Sequence, residues 1–156
     1  MIDIDIPGFG RVEIRHLVSD FTGTLSEDGI LCKGVRERLE RLSEKLKIHI
    51  LTADTFGTAR AQLEGINCKI HILSGDRHDR QKQAYVEALG AEGVFAIGNG
   101  NNDRLMLKKA VVGVAVCLKE GCSVDAIKSA DILVKSTVDG LDLLLNTKRL
   151  KATLRF

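Results

Sequence analysis

The sequence predicts an α/β fold: a central, mostly parallel sheet covered by helices on both faces. Short Val, Ile and Leu runs alternate with amphipathic stretches from His16 to Leu145, and strands and helices taken in turn need crossovers that cover both sides of a sheet. Three of the strands end in polar residues, at Asp20, Thr52 and the Asn99-to-Asp103 stretch, and open parallel sheets bind ligands at the carboxyl ends of their strands. No linker, repeat or low-complexity tract divides the chain, and its single proline marks no boundary, so residues 1–156 read as one domain. With 156 residues, 44% hydrophobic and 28% charged, the chain can bury a core without disulfides and has too much apolar content for disorder.

The elements follow in order. Met1 to Ile6 and Arg11 to Ile14 alternate apolar and polar residues around Pro7-Gly8-Phe9-Gly10, which predicts a β-hairpin with one buried face. His16 to Ser19 is a short strand leading into Asp20. Ser26-Glu27-Asp28-Gly29, set between Thr24-Leu25 and Ile30-Leu31-Cys32, predicts the turn of a second, smaller hairpin. Val35, Leu39, Leu42 and Leu46 keep helical spacing. Ile48 to Leu51 is a strand before Thr52, Thr58 to Leu63 a weaker helix stopped by Gly65, and Lys69 to Leu73 a strand. After the polar turn Ser74-Gly75-Asp76 a helix runs through Lys82, Val86 and Leu89 and closes at Gly90. Val94 to Ile97 is a strand, Leu105, Met106 and Ala110 mark a helix, and Val111 to Val116 is a strand. A helix near Val124 to Ile127, a strand at Ile132 to Val134 and the Leu141 to Leu145 segment complete the alternation.

A formal net charge of +2 is too small for a nucleic-acid or membrane surface. The basic residues Lys148, Arg149, Lys151 and Arg155 are interrupted by apolar ones and read as the solvated face of a helix or strand. The N-terminus alternates Ile and Asp and lacks the apolar stretch of a secretory leader, and no run is long enough to span a bilayer. Cys32, Cys68, Cys117 and Cys122 form no CxxC pair, and with four scattered histidines no zinc spacing emerges. Free, small, buried thiols in a reducing compartment are expected. The sequence points to the cytoplasm.

The polar strand ends carry the functional signal. Asp20-Phe21-Thr22-Gly23-Thr24-Leu25 resembles the first motif of the haloacid dehalogenase superfamily, in the form used by the phosphorylation domain of P-type cation ATPases, Asp-Lys-Thr-Gly-Thr-Leu-Thr. Leu51-Thr52-Ala53-Asp54 resembles their Thr-Gly-Asp segment. Lys82 with Val86 and Leu89 is similar to their Lys-xxx-Val-xx-Leu segment, and Gly98-Asn99-Gly100-Asn101-Asn102-Asp103 resembles Gly-Asp-Gly-x-Asn-Asp. The four segments occur in family order, and the similarity extends over the fold from about Val12 onward. The resemblance implies a Rossmann-like three-layer fold. About thirty residues separate Asp20 from Thr52, and about thirty again separate Thr52 from Lys82, so neither insertion point holds a cap domain. The nucleotide-binding insertion and membrane domain of the ATPases have no counterpart, which excludes ion pumping.

The resemblance also implies the chemistry. Asp20 is the nucleophile and forms an aspartyl phosphate. A magnesium ion offsets its repulsion of the incoming phosphate, with the Asp20 carboxylate and the Thr22 main-chain carbonyl as ligands and Asn99 and Asp103 completing the set. Thr52 donates its hydroxyl to a phosphoryl oxygen, Lys82 neutralises developing charge, and main-chain N–H groups around Phe21 and Gly23 complete the phosphate cradle. Asp54 reads first as a helix cap.

Two positions depart from the family pattern. Most phosphatases of the superfamily carry a second Asp two places after the nucleophile as general acid and base; here Thr22 stands there, as in the ATPases, and turnover is expected to be slow. Asn99 stands where the family has a metal-binding Asp, which leaves open whether Asn99 or Asp103 is the direct ligand. The expected activity is that of a magnesium-dependent phosphatase or phosphotransferase acting on phosphate esters or acyl phosphates. The alternative is a regulatory protein that binds magnesium and phosphate with negligible turnover. The small hairpin resembles the flap with which capless sugar-acid phosphatases close a neighbouring subunit's site. A small phosphorylated substrate, a macromolecule, or a second copy of the chain in a homo-oligomer are the partners this implies.

Overall fold

The computed structural model describes residues 1–54 and 57–156, and the counts below refer to these. The first two strands, β1 (Ile2–Ile6) and β2 (Gly10–Ile14), pair antiparallel. Their alternation buries Ile2, Ile4, Ile6, Val12 and Ile14, while Arg11 and Asp3 pair at 2.6 Å on the outer face. This is the hairpin expected from the sequence.

The central sheet has six strands, all parallel. In chain order they are β3 (His16–Asp20), β6 (Lys47–Thr52), β7 (Lys69–Ile72), β8 (Val94–Gly98), β9 (Val112–Val116) and β10 (Ile132–Val134). Across the sheet they run β10-β9-β8-β3-β6-β7. The chain leaves β3 towards β6 and β7 on one side and then crosses to β8 on the other, so the reversal of winding lies at β3. Register does the rest of the positioning. Asp20 pairs with Leu51, leaving Thr52 one residue beyond, and Ser19 pairs with Ile97, which brings Gly98 level with Asp20 and Asn99 just past it.

Seven helices cover the two faces: α1 (Val35–Ser43), α2 (Thr58–Gln62), α3 (His78–Leu89), α4 (Arg104–Lys109), α5 (Val124–Ser129), α6 (Thr137–Leu145) and α7 (Thr147–Leu154). On one side Leu17, Ile48, Ile50, Phe95, Ile97 and Val114 pack with residues of α1, α6 and α7 and with the N-terminal hairpin. On the other, Val18, Leu51, Ala96, Met106, Leu107 and Ala126 pack with α3, α4 and α5. Alternate residues of one strand thus feed opposite layers, and strands buried on both faces read as the near-continuous apolar runs seen in the sequence. The basic C-terminal residues lie on the exposed face of α7, whose Leu150 and Leu154 are buried.

Three boundaries differ from expectation. The flap hairpin pairs β4 (Ser26–Glu27) with β5 (Ile30–Leu31), so its turn is only Asp28-Gly29, both with positive φ, the backbone that a two-residue hairpin requires. Helix α1 stops at Ser43, and Leu46 is buried from the loop, its N–H donating to the Leu42 carbonyl at 2.8 Å. Short 3-10 turns at Ala91–Gly93 and Asn101–Asp103 have no periodic signature. None of the helices is long and apolar enough to cross a membrane, and the four cysteines are free thiols.

Candidate active site

The segment after β3 folds back on one carbonyl. The Phe21 oxygen accepts the amides of Thr24 (3.2 Å), Leu25 (2.9 Å) and Ser26 (3.0 Å) and the Ser26 hydroxyl (3.1 Å). The Thr137 hydroxyl of α6 donates to the Thr24 carbonyl from beneath. Gly23 takes φ 76° at a point where a Cβ would lie 2.3 Å from Glu120 Oε2 and 2.6 Å from Asn99 Nδ2. The left-handed backbone is what favours glycine there.

Asp20 stands at the end of the central strand, and α3 delivers Lys82 to it. Lys82 Nζ donates to Asp20 Oδ1 at 2.8 Å and to Asp103 Oδ1 at 2.6 Å, with only 1% of the lysine side chain exposed. Asp103 is completely buried, and its other oxygen accepts the amides of Asn99 (3.0 Å) and Gly100 (2.9 Å). Room for that carboxylate comes from Gly98, where a Cβ would sit 2.6 Å from Asp103 Cγ. Asn99 is oriented by its amide, which donates to the Gly121 carbonyl at 3.2 Å and so turns Oδ1 inward. The Thr24 hydroxyl lies 3.1 Å from that oxygen and 3.2 Å from Asp20 Oδ2.

One cleft of about 460 Å³ gathers these groups; Asp20, Phe21, Thr22, Thr52, Lys82 and Asn99 all line it. Of the site residues expected from the sequence, Gly23 and Asp103 do not line it: the Gly23 amide, expected in the phosphate cradle, is taken by the Ser26 carbonyl at 2.9 Å, and Asp103 lies behind Lys82. Both Asp103 oxygens are engaged by protein donors, so of the two metal candidates left open, Asn99 is the one that faces the cleft. The Thr52 hydroxyl accepts the Asp54 amide at 3.2 Å, leaving its own proton to donate. The Asp54 carboxylate accepts the Ala59 amide at 2.7 Å at the start of α2, as a cap does.

Burial pushes the Asp20 carboxyl up to about 6, and the charge of Asp103 adds to this, while Lys82 opposes both. For Lys82, burial works against the charged form, but the two carboxylates outweigh it and hold the ammonium protonated. Two carboxylates around one ammonium leave a buried excess of negative charge. A hard cation fits that excess and the oxygen donors beside it, Asp20, Thr22 and Asn99 Oδ1. No group of three or more His, Cys, Asp or Glu gathers as a metal cage among the described residues. Few protein oxygens, with water and phosphate completing the shell, is how magnesium is held at phosphate sites.

Three residues enter the site without having been singled out. Thr24 sits inside the first motif, and its hydroxyl is the link between Asp20 and Asn99. His78 lies one helical turn before Lys82 on the cleft face, and its Nε2 is buried with no hydrogen-bond partner among the described residues; the i, i+4 spacing was the available signal. Glu120 lines the cleft from the loop after β9, and nothing in its sequence neighbourhood marks it.

A parallel sheet with an aspartate at the central strand end, a buried lysine on it, and no cap over it is the haloacid dehalogenase fold in its capless form. The match to solved structures is of that kind. A HAD family hydrolase from Streptomyces avermitilis superposes with a TM-score of 0.69 over 85% of this chain and 84% of that one, at 18% identity. The 3-deoxy-D-manno-octulosonate 8-phosphate phosphatase from Moraxella catarrhalis, solved with magnesium, phosphate and KDO, gives 0.68 over 91% and 94%, at 17% identity. No family model matches the sequence. Among curated proteins, a stretch of 62 residues is 56% identical to an uncharacterized protein of Methanocaldococcus jannaschii, covering 40% of this chain and 67% of that protein. Phosphoserine phosphatase of Lactococcus lactis is 29% identical over 112 residues, 67% of this chain. The chain spans about half the length of that enzyme, 52%.

Proposed function

We propose that the chain is a magnesium-dependent phosphoric monoester hydrolase in which Asp20 is the nucleophile and carries the phosphoryl group as an aspartyl phosphate. The observation that supports this most directly is the Lys82 bridge, which holds Asp20 at the floor of an open cleft with one carboxylate oxygen on the lysine and the other on the Thr24 hydroxyl, which also reaches Asn99 Oδ1. In the attack, an Asp20 oxygen forms the bond to phosphorus as the bond to the leaving oxygen breaks, and water later cleaves the acyl phosphate to free phosphate and carboxylate. Lys82 balances charge on the phosphoryl oxygens, the Thr52 hydroxyl donates to one of them, and the Phe21 and Thr22 N–H groups orient the group. Bound magnesium would supply the positive charge that brings a phosphate dianion to a carboxylate; Asp20, the Thr22 carbonyl and Asn99 Oδ1 would hold it, with Asp103 acting through Lys82.

Thr22 offers no carboxylate for proton transfer, so the reading includes slow turnover. Small phosphate esters are the proposed substrates. This draws on the phosphatases to which the chain is similar and on a cleft of a size that takes a small molecule. The test is phosphate release from p-nitrophenyl phosphate and a panel of phosphate esters with magnesium, for wild type and Asp20→Asn. Sustained release that the substitution abolishes, with the folded circular-dichroism spectrum preserved, is expected. Stoichiometric labelling by acetyl phosphate without turnover would assign the chain to the regulatory alternative instead.

A further inference from the structure

Glu120 is a cleft carboxylate that the proposed chemistry leaves without a task. It is carried by a tight turn in which the Gly121 amide bonds to the Leu118 carbonyl at 2.9 Å. That turn is fastened on both sides of the carboxylate. Asn99 Nδ2 donates to the Gly121 carbonyl at 3.2 Å, and the Ser123 amide donates to the Asn99 carbonyl at 2.8 Å. Lys119 reaches the other way, to Glu27 of the flap hairpin, at 2.9 Å. Glu120 itself forms no ion pair among the described residues, and its Oε2 hangs over Gly23 at the same point that Asn99 Nδ2 approaches. An unpaired carboxylate placed there works against a phosphate dianion, because like charges in a cleft repel. It works in favour of a divalent cation.

We infer that Glu120 supplies the negative charge that Asn99 does not, and so serves as the second anion holding the divalent cation beside Asp20. The inference rests on the cation site proposed above and extends it. Asn99 brings a neutral oxygen to the cation and, through its amide, positions the turn that carries the charge. The anion has moved from the β8 loop to the loop after β9, across a hydrogen bond that ties the two loops together.

The experiment is a calorimetric titration of magnesium, repeated with manganese followed by its spin-resonance signal, into wild type, Glu120→Gln, Asn99→Asp and the double variant, all without substrate. Partners that tune a metal site typically carry 10–100-fold in affinity, so Glu120→Gln is expected to weaken binding by about tenfold or more. Asn99→Asp should restore it in the double variant, because the charge returns to the β8 loop. The glutamate is exposed, so the melts of apo wild type and apo Glu120→Gln should coincide. Cation binding that Glu120→Gln leaves unchanged overturns this inference and spares the site. No binding by wild type overturns the site and this inference together. A weakening by Glu120→Gln that Asn99→Asp does not rescue overturns the exchange of charge between the two loops.

Discussion

At the scale of single residues, the site is a set of substitutions for charge. Thr22 has no acid-base capacity near neutral pH, Asn99 has no charge, and Lys82 shares its one charge between two carboxylates. The first of these sets the expected rate. Thr22 is exposed to the cleft, so an aspartate at this position meets no packing obstacle and can reach an incoming water. Thr22→Asp should speed breakdown of the phosphoenzyme by up to the 10²–10⁴-fold range of general acid–base catalysis. Single-turnover release from acetyl-phosphate-labelled protein, at saturating magnesium, measures it; an unchanged rate would mean that water is not positioned over residue 22. Asp20, Thr52 and Asn99 were legible in the sequence because each stands at a strand end, and Lys82 because it falls between the Thr52 and Asn99 segments, although the structure places it one turn into α3 rather than at its start. Glu120 and Thr24 were not legible as neighbours of Asn99, because three chain segments must meet in space to bring them into one cleft, and His78 needed the helix face to be known.

At the scale of elements, the strands were the most legible part. A parallel strand buried on both faces must be almost wholly apolar, and Val94 to Ile97 and Val112 to Val116 are. Helix ends and turns were less so, since they depend on individual hydrogen bonds; the Asp28-Gly29 turn and the early stop of α1 are examples. The fit of helix to sheet is similarly hidden in sequence. At Gly113 of β9 a Cβ would lie 2.2 Å from the Leu107 carbonyl oxygen of α4, and that atom belongs to the backbone, so it yields only if the helix moves. Gly113→Ala is expected to destabilise the fold by roughly 1–3 kcal/mol, the usual cost of overpacking. For a domain of this size that lowers the melting temperature by roughly 2–4 °C per kcal/mol. The melt would show it, and an unshifted transition would mean that α4 is free to slide.

At the scale of the whole molecule, the proposed site ties stability to pH and, through the cation it is proposed to hold, to magnesium. Asp20, Asp103 and Lys82 join the ends of β3, β8 and the start of α3, so their charge balance bears on the packing of both sheet halves. The Asp20 carboxyl is raised from an ordinary 3.8 to about 6 in the folded state, through burial first and Asp103 second. Between those values the folded chain holds a proton that the unfolded chain has lost. Stability therefore falls as pH rises through this window, by about 3 kcal/mol at full extent. Asp20→Asn removes the effect, because an amide resembles the protonated acid. Without divalent cations, Asp20→Asn should be more stable than wild type at pH 7.5, and the gap should close towards pH 4. Magnesium should close most of the gap at pH 7.5, since a ligand at a hundred times its dissociation constant stabilises by about 2.7 kcal/mol and the variant lacks the carboxylate proposed to hold it. Urea unfolding at both pH values, with and without magnesium, measures all four differences. A gap that is the same at pH 4 and pH 7.5 would show that Lys82 fully compensates Asp20 in the folded protein, and a wild type that magnesium does not stabilise would leave the buried excess charge without its cation.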